Sequence, residues 1–412
     1  MKRLCKNAKI DVSDIEQATK ECLRAKWTRN DTLRFLAEHS DRGMKELKDM
    51  TMLKNIPGQG MQHRREELSK EIHSIAVSLK EEIDEKKITL NPIIYRERFD
   101  GSSRKTRVIG TESIKQQILD YVAVNGLMEL LKKKIGANQF ACVPGRGQLF
   151  GKKRIEKWIR EYPEKCKYVA KADVKKCYPS VNKDILKAYL RKWVKNERLI
   201  YLTETLIDTY DKGLLIGSYL SLWLCNLYLS IAYHYASEDL VKTRKKRNGV
   251  KVRKRLAFKV AFYMDDIVLI GPRKKDVYKA LRMLSTFMKD RLDLELKEDW
   301  RVFELGGKNS GQPIDIMGYK IYKDTTTIRS TTFLKIRRAY KKANDIMRKE
   351  ERIPVELARR CVSYYGKVKH TDSFKFAKEY NIEQTIRAAR RAISDESKIL
   401  TKTACSEMAA TQ

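Results

Sequence analysis

Two adjacent acids, Asp265 and Asp266, lie between two apolar runs that favour β-strands, residues 257–263 and 267–271. This pattern predicts a β-hairpin with carboxylates at its tip. Adjacent carboxylates are costly inside a core, because like charges repel and each group loses its hydration. A pair held between two apolar strands therefore predicts a divalent metal site, with a third carboxylate supplied by another part of the chain.

A strand ending on an acid supplies that third carboxylate. Residues 168–174 favour a strand that reaches Asp173, and a helix is predicted over residues 183–194. A carboxylate at a strand end beside an acidic hairpin provides the oxygen ligands that two Mg²⁺ ions need. For Asp173 alone, an acid at a helix N-terminus is the alternative interpretation.

The charge of the chain indicates a polyanionic partner. Lys and Arg number 88 against 53 Asp and Glu, a net charge of +35 over 412 residues. Nucleic acid is the first candidate partner and an anionic membrane surface the second.

The eight cysteines include no Cys-x-x-Cys pair and no signal peptide is evident, so we expect a reduced, cytoplasmic protein. Residues 213–237 contain no Asp, Glu, Lys or Arg, but their polar content favours a loop and a buried helix over a membrane span.

Three further segments present cations to phosphate. A hairpin over residues 93–110 carries Arg104, Lys105 and Arg107 and suits a triphosphate, with ordinary surface charge as the alternative. A loop over residues 139–150, containing Arg146, suits a nucleic-acid backbone and leads into a basic helix over residues 152–160. Residues 242–255 include nine cations around a predicted Asn-Gly turn, which favours RNA phosphate over a nuclear localisation signal.

The order of these motifs along the chain resembles that of reverse transcriptases. The matching segments are residues 105–109, residues 140–147, Asp173 with Tyr178 five positions later, the loop 213–217 leading to Ser221 and Asn226, Tyr263-Met264-Asp265-Asp266, and residues 315–321. The resemblance implies an α+β right-hand polymerase that copies an RNA template into DNA with dNTPs and two Mg²⁺ ions, with Mn²⁺ as an alternative. RNA/DNA hybrid is then a partner, and no membrane is expected.

The resemblance also implies a division of the chain into domains. Residues 1–90 are a helical N-terminal extension or the start of the fingers, and residues 91–165 are the fingers. Residues 166–328 are the palm, with the basic hairpin inserted at 242–255. Residues 329–395 are a helical thumb, and residues 396–412 are expected to be a flexible tail.

The resemblance further implies a role for each candidate residue. The catalytic acids are Asp173, Asp265 and Asp266, which bind metal together with the Val174 carbonyl, and Asp266 acts less directly. Tyr178 excludes a ribose 2′-hydroxyl, with a buried packing aromatic as the alternative. The remaining nucleotide-binding residues are Lys105, Arg107, Ile216 and Gly217. The remaining nucleic-acid-binding residues are Arg146, Lys245, Arg247, the primer grip Met317-Gly318-Tyr319, and Arg337 and Arg338 of the thumb.

One departure from the family pattern concerns fidelity. Many reverse transcriptases have Pro-Gln-Gly followed by Ser-Pro where this chain has Leu215-Ile216-Gly217 and Ser221-Leu222. An aliphatic residue at position 216 resembles the error-prone enzymes of diversity-generating retroelements, although those usually have Ser-Gln where this chain has Ser221-Leu222. Ile216 therefore predicts looser nucleotide discrimination, with a substitution of no consequence for fidelity as the alternative.

The host role remains open at this point. The settings are a diversity-generating retroelement, an antiphage defence reverse transcriptase, or a retron-like system with a dedicated non-coding or template RNA and an accessory protein. Two other functions are alternatives. An RNA-dependent RNA polymerase is disfavoured by Tyr178, and a non-catalytic RNA-binding protein is disfavoured by the intact acids Asp173, Asp265 and Asp266.

Overall fold

The computed structural model describes residues 3–8, 10–52, 68–100, 105–245, 247–349 and 352–409, and the side chains of residues 100, 105, 244 and 397–409 lie outside this description. The α-helices in chain order are α1 Val12–Leu23, α2 Asn30–Ala37, α3 Met44–Met52, α4 Ser69–Asp84, α5 Ile114–Lys134, α6 Gln148–Glu161, α7 Lys183–Trp193, α8 Glu197–Asp208, α9 Tyr219–His234, α10 Lys274–Leu292, α11 Ser330–Arg348, α12 Val355–Lys369, α13 Phe374–Glu379 and α14 Ile382–Ala409. The strands are β1 Ile94–Asp100, β2 Lys105–Thr111, β3 Tyr168–Asp173, β4 Val241–Lys245, β5 Lys251–Arg255, β6 Lys259–Tyr263, β7 Asp266–Gly271, β8 Arg301–Glu304, β9 Ile314–Ile316, β10 Tyr319–Ile321 and β11 Thr326–Ile328.

Four sheets connect these strands. β1 and β2 form an antiparallel hairpin in register from Ile94 opposite Thr111 to Asp100 opposite Lys105. β6, β7, β3 and β8 form a four-stranded sheet in that order, and β11, β10 and β9 form a three-stranded one. β4 and β5 form a separate hairpin. Helices combined with antiparallel sheets confirm the predicted α+β class.

The chain divides into two compact units. Unit 1 consists of Met1–Val143, Ala172–Leu269 and Tyr278–Trp300, and unit 2 consists of Pro144–Lys171, Ile270–Val277 and Arg301–Gln412. These units are defined by packing. The domain boundaries expected from the sequence at residues 90, 165, 328 and 395 therefore stay predictions.

The core of unit 1 is built around α5 and α9, which pack against each other. Both helices begin at a serine that satisfies an otherwise unpaired amide. Ser113 Oγ accepts a hydrogen bond from the Gln116 amide at 3.2 Å, and Ser218 Oγ accepts one from the Ser221 amide at 3.1 Å. Most of α9 is buried, so residues 213–237 form the loop and buried helix that the sequence predicts. Among the described residues, none of the helices has the length and apolar character needed to cross a bilayer.

The core of unit 2 includes a three-helix cluster of α11, α12 and α14. Tyr340 of α11 is fully buried, and its hydroxyl donates to the Cys361 carbonyl of α12 at 2.9 Å. α14 continues to Ala409, and the expectation that residues 396–412 are a flexible tail stays a prediction. The helix continues because residues 382–409 include neither Pro nor Gly. Its contact with α12 extends to Glu396, which accepts a hydrogen bond from Arg359 at 2.7 Å.

Other differences from the predicted elements are small. The sequence Leu-Glu-Leu-Lys at residues 294–297 favours a short strand, whereas in the structure Leu296 forms an isolated bridge to Val174. A single bridge forms because only the backbone around Leu296 approaches the end of β3. Pro and Gly in the sequence Ile-Pro-Gly-Gln-Gly predict a loop at residues 56–60. These residues lie outside the described part of the chain, as do the side chains of Arg104 and Lys105.

Candidate active site

The acidic tip belongs to the hairpin formed by β6 and β7, as predicted. The flanking residues Val260–Phe262 and Ile267–Ile270 are buried, so the apolar runs anchor the hairpin in the core. The turn is tight, and Met264 adopts a left-handed backbone conformation with φ of 52°. Residues held in such conformations are concentrated at functional sites. The turn leaves Asp265 at the tip and makes Asp266 the first residue of β7.

Backbone hydrogen bonds bring the end of β3 to this tip. The Val174 amide donates to the Asp265 carbonyl at 2.9 Å. On the other side, the Lys297 amide donates to the Asp173 carbonyl at 2.8 Å, and the Lys175 amide donates to the Glu295 carbonyl at 2.8 Å. Val174 and Leu296 are thus a non-hydrogen-bonded antiparallel pair. The Val174 carbonyl therefore points away from Leu296, toward the side on which Asp265 lies.

The carboxylates of Asp173 and Asp265 interact electrostatically. Burial raises the pKa of the Asp265 carboxyl above its usual range, and repulsion from Asp173 raises it further. The cations Lys297 and Arg107 oppose this rise. Lys297 Nζ lies 3.6 Å from Asp173 Oδ1 and forms an ion pair with it. The two acids thus share a site whose excess negative charge is offset by cations.

The candidate metal donors at this tip are carboxylate and carbonyl oxygens. Among the described residues, no group of three or more His, Cys, Asp and Glu side chains is arranged to hold a metal ion. The pair Asp173 and Asp265 with the Val174 carbonyl nevertheless presents hard oxygen donors, which Mg²⁺ prefers. This donor set fits a divalent cation, and the roles expected for Asp266 remain predictions.

Tyr178 is joined to the loop at residues 213–217 through its backbone. Its carbonyl accepts a hydrogen bond from the Leu214 amide at 2.9 Å. Gly213 has a φ of 55°, and an added Cβ there would overlap the carbonyl oxygen of Tyr178. The ring of Tyr178 is half-buried, and burial raises the pKa of its hydroxyl above the usual range. The structure therefore brings the predicted ribose-excluding residue beside the predicted nucleotide loop.

The same loop also contacts β2. The Gly110 amide donates to the Ile216 carbonyl at 3.3 Å. Gly217, at a φ of 116°, approaches so closely that an added Cβ would lie 3.1 Å from the Gly110 carbonyl oxygen. Arg107 is exposed three positions earlier on β2. Four of the predicted nucleotide-binding residues, Arg107, Tyr178, Ile216 and Gly217, therefore belong to connected segments of unit 1.

Beneath this loop lies a buried carboxyl pair, Glu112 and Asp120, that the sequence did not reveal. Asp120 is fully buried, and its Oδ2 accepts hydrogen bonds from Ser218 Oγ at 2.7 Å and from the Leu220 amide at 3.1 Å. The hydroxyl of Tyr210 donates to Glu112 Oε1 at 3.2 Å. The pKa of Glu112 is raised to about 9 and that of Asp120 to about 6, mainly by burial. The pair therefore retains a proton at neutral pH and fixes the start of α9.

A second set of buried contacts holds the loop before α6 against the acidic hairpin. The Phe140 amide donates to the Phe262 carbonyl at 3.0 Å. Asn226 Nδ2 donates to the Ala141 carbonyl at 2.8 Å, and Gln139 Nε2 donates to the Asn226 carbonyl at 2.9 Å. Asn226, which the sequence analysis included in the family pattern, therefore fixes the segment 139–141 that is hydrogen-bonded to β6.

Unit 2 contains the predicted primer grip and Arg146. Met317 and Gly318 form the turn between β9 and β10, both at positive φ, and the ring of Tyr319 lies 4.7 Å from Lys367 Nζ. Lys367 was not singled out in the sequence, because its approach to Tyr319 depends on the packing of α12. Arg146 is half-buried in the loop before α6.

The remaining predicted contacts are exposed cations. Arg337 and Arg338 lie on α11, and Arg337 Nε donates to the Tyr380 hydroxyl at 2.9 Å. In unit 1, Lys245 ends β4 and Arg247 follows it in the turn, and both are exposed.

The chain matches a known protein family. A family model described as reverse transcriptase (RNA-dependent DNA polymerase) matches residues 98–321, more than half of the chain. The chain belongs to this family. It is an RNA-directed DNA polymerase, a nucleotidyltransferase with the right-hand fold that the motifs predict. Reverse transcriptase domains use divalent metal ions, which agrees with the donor set of this site.

Solved structures that are similar to this chain include two telomerases. A telomerase from Candida albicans, solved with a fragment of telomeric RNA, is 11% identical to this reverse transcriptase, with 93% of this chain and 83% of that chain covered and a TM-score of 0.41. A telomerase from Candida tropicalis, also solved with a fragment of telomeric RNA, is 11% identical, with 92% and 73% covered and a TM-score of 0.43. No curated protein sequence matches the chain.

Proposed function

We propose that this reverse transcriptase extends a primer with dNTPs at the carboxylate pair of Asp173 and Asp265. The observation that carries the proposal is the convergence of these acids from separate strands, linked by the hydrogen bond from the Val174 amide to the Asp265 carbonyl. Beside them lie Tyr178 and the loop containing Ile216. A primer terminus and a nucleotide placed here meet concentrated negative charge on one side and a fixed loop on the other.

The metal ligands in this proposal are Asp173, Asp265 and the Val174 carbonyl, with Asp266 acting less directly. Mg²⁺ is the expected ion, as a pair, and Mn²⁺ is an alternative. When bound, divalent ions stabilise charge on the triphosphate and increase the acidity of the attacking 3′-hydroxyl. Lys297 contributes by holding the Asp173 carboxylate in place through its ion pair at 3.6 Å.

The nucleotide contacts follow from the loop and β2. Lys105 and Arg107 neutralise the triphosphate by fixed positive charge. The half-buried ring of Tyr178 occupies the space of a ribose 2′-hydroxyl and so selects deoxynucleotides. Ile216 and Gly217 line the nascent base pair. Ile216 can fill space there but cannot form hydrogen bonds through its side chain.

The template and primer contacts involve cations from several segments. We infer that template RNA and RNA/DNA hybrid contact Arg146, Lys245, Arg247, Arg337 and Arg338, with Met317-Gly318-Tyr319 as the primer grip. Charged side chains of this kind position a nucleic-acid backbone without reading its sequence. The predicted domain limits assign these residues to the fingers, to the palm and its insertion, and to the thumb, and the cytoplasm is the proposed location.

Primer extension tests the proposed catalytic pair. On an RNA template with an annealed DNA primer, Asp265→Asn and Asp173→Asn are each expected to lower the rate at least about a thousandfold, because charge stabilisation in the transition state is lost. The matched control is Asp184→Asn, an exposed acid in the first turn of α7. Full extension by Asp265→Asn would contradict the assignment, whereas no extension by the wild-type protein would support a binding function for the fold.

The biological role that we propose is copying of a dedicated RNA in a diversity-generating retroelement, on the basis of Ile216. Antiphage defence or a retron-like system is the alternative, and each of these predicts a different bound RNA. Sequencing of the RNA that co-purifies with the protein distinguishes them. A template repeat supports the first role, and a structured non-coding RNA supports the second.

A further inference from the structure

An open groove lies on unit 1 along α10. Its volume is about 600 Å³, and its walls are α10 and the π-helical turn Tyr235–Asp239 that follows α9. None of the described residues that line it belongs to the proposed catalytic centre or nucleotide loop. The proposed catalytic and nucleotide-binding residues therefore do not account for this groove.

Aromatic rings form much of this groove. The rings of Tyr235 and Phe287 are stacked, with centroids 3.9 Å apart and an interplanar angle of 5°. Tyr278 is 45% exposed, and its ring lies 5.4 Å from that of Trp300. Exposed aromatic faces of this kind accept unstacked nucleic-acid bases, because every base presents a π-face whatever its sequence.

Positive charge surrounds these rings. Lys279, Arg282 and Arg291 line the groove and are exposed, whereas Asp290 is the one acid among the described lining residues. Cations interleaved with aromatic rings bind the phosphates and bases of a single strand together. A neutral peptide would leave these cations without compensating charge.

The basic hairpin formed by β4 and β5 begins at the edge of the groove. The Leu240 amide donates to the Tyr235 carbonyl at 3.1 Å, and the Leu256 amide donates to the Leu240 carbonyl at 2.8 Å. The hairpin thus starts from the same turn that supplies Tyr235 to the groove. Residues 241–256 contain no Asp or Glu.

The register of this hairpin places like charges opposite each other. Lys242 is opposite Lys254, and Lys245 is opposite Lys251. Like charges in directly opposed positions destabilise a two-stranded hairpin, which is marginally stable on its own. A bound polyanion removes this repulsion, so the hairpin is suited to phosphates along the path that leads to the groove.

We propose that the α10 groove and the β4–β5 hairpin together bind a single-stranded RNA segment outside the catalytic centre. Bases stack on Tyr278 and its neighbouring rings, and phosphates contact Arg282 and the hairpin cations. A duplex does not fit this surface in the same way, because its bases are stacked inside and present no free face. The surface anchors part of the RNA while another part serves as template. The proposal rests on the RNA contact proposed above for Lys245 and Arg247 and extends it to the α10 groove, and its binding does not depend on Asp173 or Asp265.

Fluorescence anisotropy with a labelled single-stranded RNA of about 12 nucleotides tests the proposal at about 150 mM salt. Unlabelled RNA/DNA primer–template is added first in excess, to fill the polymerase cleft. The double variant Tyr278→Ala and Arg282→Ala is expected to bind the labelled strand at least about tenfold more weakly, through loss of one stacking and one phosphate contact. The matched control is Tyr162→Ala combined with Arg24→Ala, an exposed tyrosine and an exposed arginine outside the groove, and its binding is expected to stay within about twofold of wild type.

Two further measurements separate the possible outcomes. Lys251→Gln with Lys254→Gln is expected to reduce the slope of log Kd against log salt by about 1.4, since each cation accounts for about 0.7 on a single strand. Asp265→Asn is expected to lose primer extension while still binding the labelled strand, which distinguishes this surface from the catalytic centre. Unchanged affinity in the Tyr278 and Arg282 variant overturns the proposal. Equal competition by duplex RNA, or capture of a protein instead of RNA at this groove, also overturns it.

Discussion

The buried carboxyl pair beneath the nucleotide loop predicts an unusual dependence of stability on pH. The perturbation is Glu112→Gln, which replaces a protonated glutamic acid by a neutral side chain of nearly the same shape. Glutamine can accept the hydrogen bond from Tyr210, which lies at 3.2 Å in the wild type, and can donate to Asp120. The substitution therefore preserves the packing and removes only the titration of Glu112.

The sign of the effect follows from the pKa of Glu112 in the two states. In the unfolded chain this carboxyl ionises near the ordinary glutamate pKa of 4.5, whereas burial raises its pKa in the folded protein to about 9. Between these values, unfolding releases a proton, so rising pH favours the unfolded chain. The stability contribution is complete below pH 4.5 and is lost progressively as pH rises to about 9. Asp120 also has a raised pKa, about 6, and therefore titrates in the lower half of this range.

The release of one proton on unfolding sets how strongly the free energy of unfolding changes with pH. This release changes the free energy of unfolding by about 1.4 kcal/mol per pH unit, or roughly 3 kcal/mol between pH 6 and pH 8. For a cooperative unit of about 250 residues, this corresponds to a difference in Tm on the order of 6 °C. Glu112→Gln is therefore expected to gain roughly 3 kcal/mol relative to the wild type over this interval.

Thermal unfolding at pH 6, 7 and 8, followed by tryptophan fluorescence, measures this difference. The matched control is Glu71→Gln, another buried glutamate, whose carboxylate forms an ion pair with Arg42 at 3.2 Å. This control is expected to lose stability by a similar amount at each pH. Parallel curves of Tm against pH for the wild type and Glu112→Gln would refute the reasoning, because they would mean that Glu112 is ionised in the folded protein.

Three further predictions concern the nucleotide loop and its neighbours. Tyr178→Ala is expected to raise ribonucleotide relative to deoxyribonucleotide incorporation at least about tenfold, because space opens for the 2′-hydroxyl; an unchanged ratio in single-nucleotide extension contradicts this. Ile216→Gln is expected to lower misincorporation on a defined RNA template, and equal error spectra would remove the proposed link between Ile216 and fidelity. Gly213→Ala is expected to destabilise the protein by about 2 kcal/mol or more, since strain at a φ of 55° is combined with overlap with the Tyr178 carbonyl. Its control is Gly249→Ala, where φ is 80° but no atom lies within 4 Å of an added Cβ; thermal unfolding that ranks the two substitutions equally counts against the overlap.

The sequence alone predicted the elements whose signals are local. Apolar runs on either side of Asp265 predicted the β6–β7 hairpin, and the strand that ends on Asp173 was predicted in the same way. Serine at a helix start and Asn-Gly between basic strands are also local signals, since capping and turn geometry depend on a few adjacent residues. The order of the motifs was sufficient to indicate the family, which the matching family description confirms.

Tertiary structure decided the features that depend on residues distant in the chain. Lys297 meets Asp173 only because the bridge at Leu296 brings their backbones together, and nothing in the local sequence marks this lysine. Asp120 and Ser218, 98 positions apart, form a buried hydrogen bond, although both belong to segments that resemble ordinary helix starts and faces. Burial is a property of packing, and burial determines whether a carboxyl keeps its proton. The sequence therefore determined the fold class and the acids of the candidate centre. Packing alone decided that Lys297 pairs with Asp173 and that the carboxyl pair of Glu112 and Asp120 keeps a proton beneath the loop.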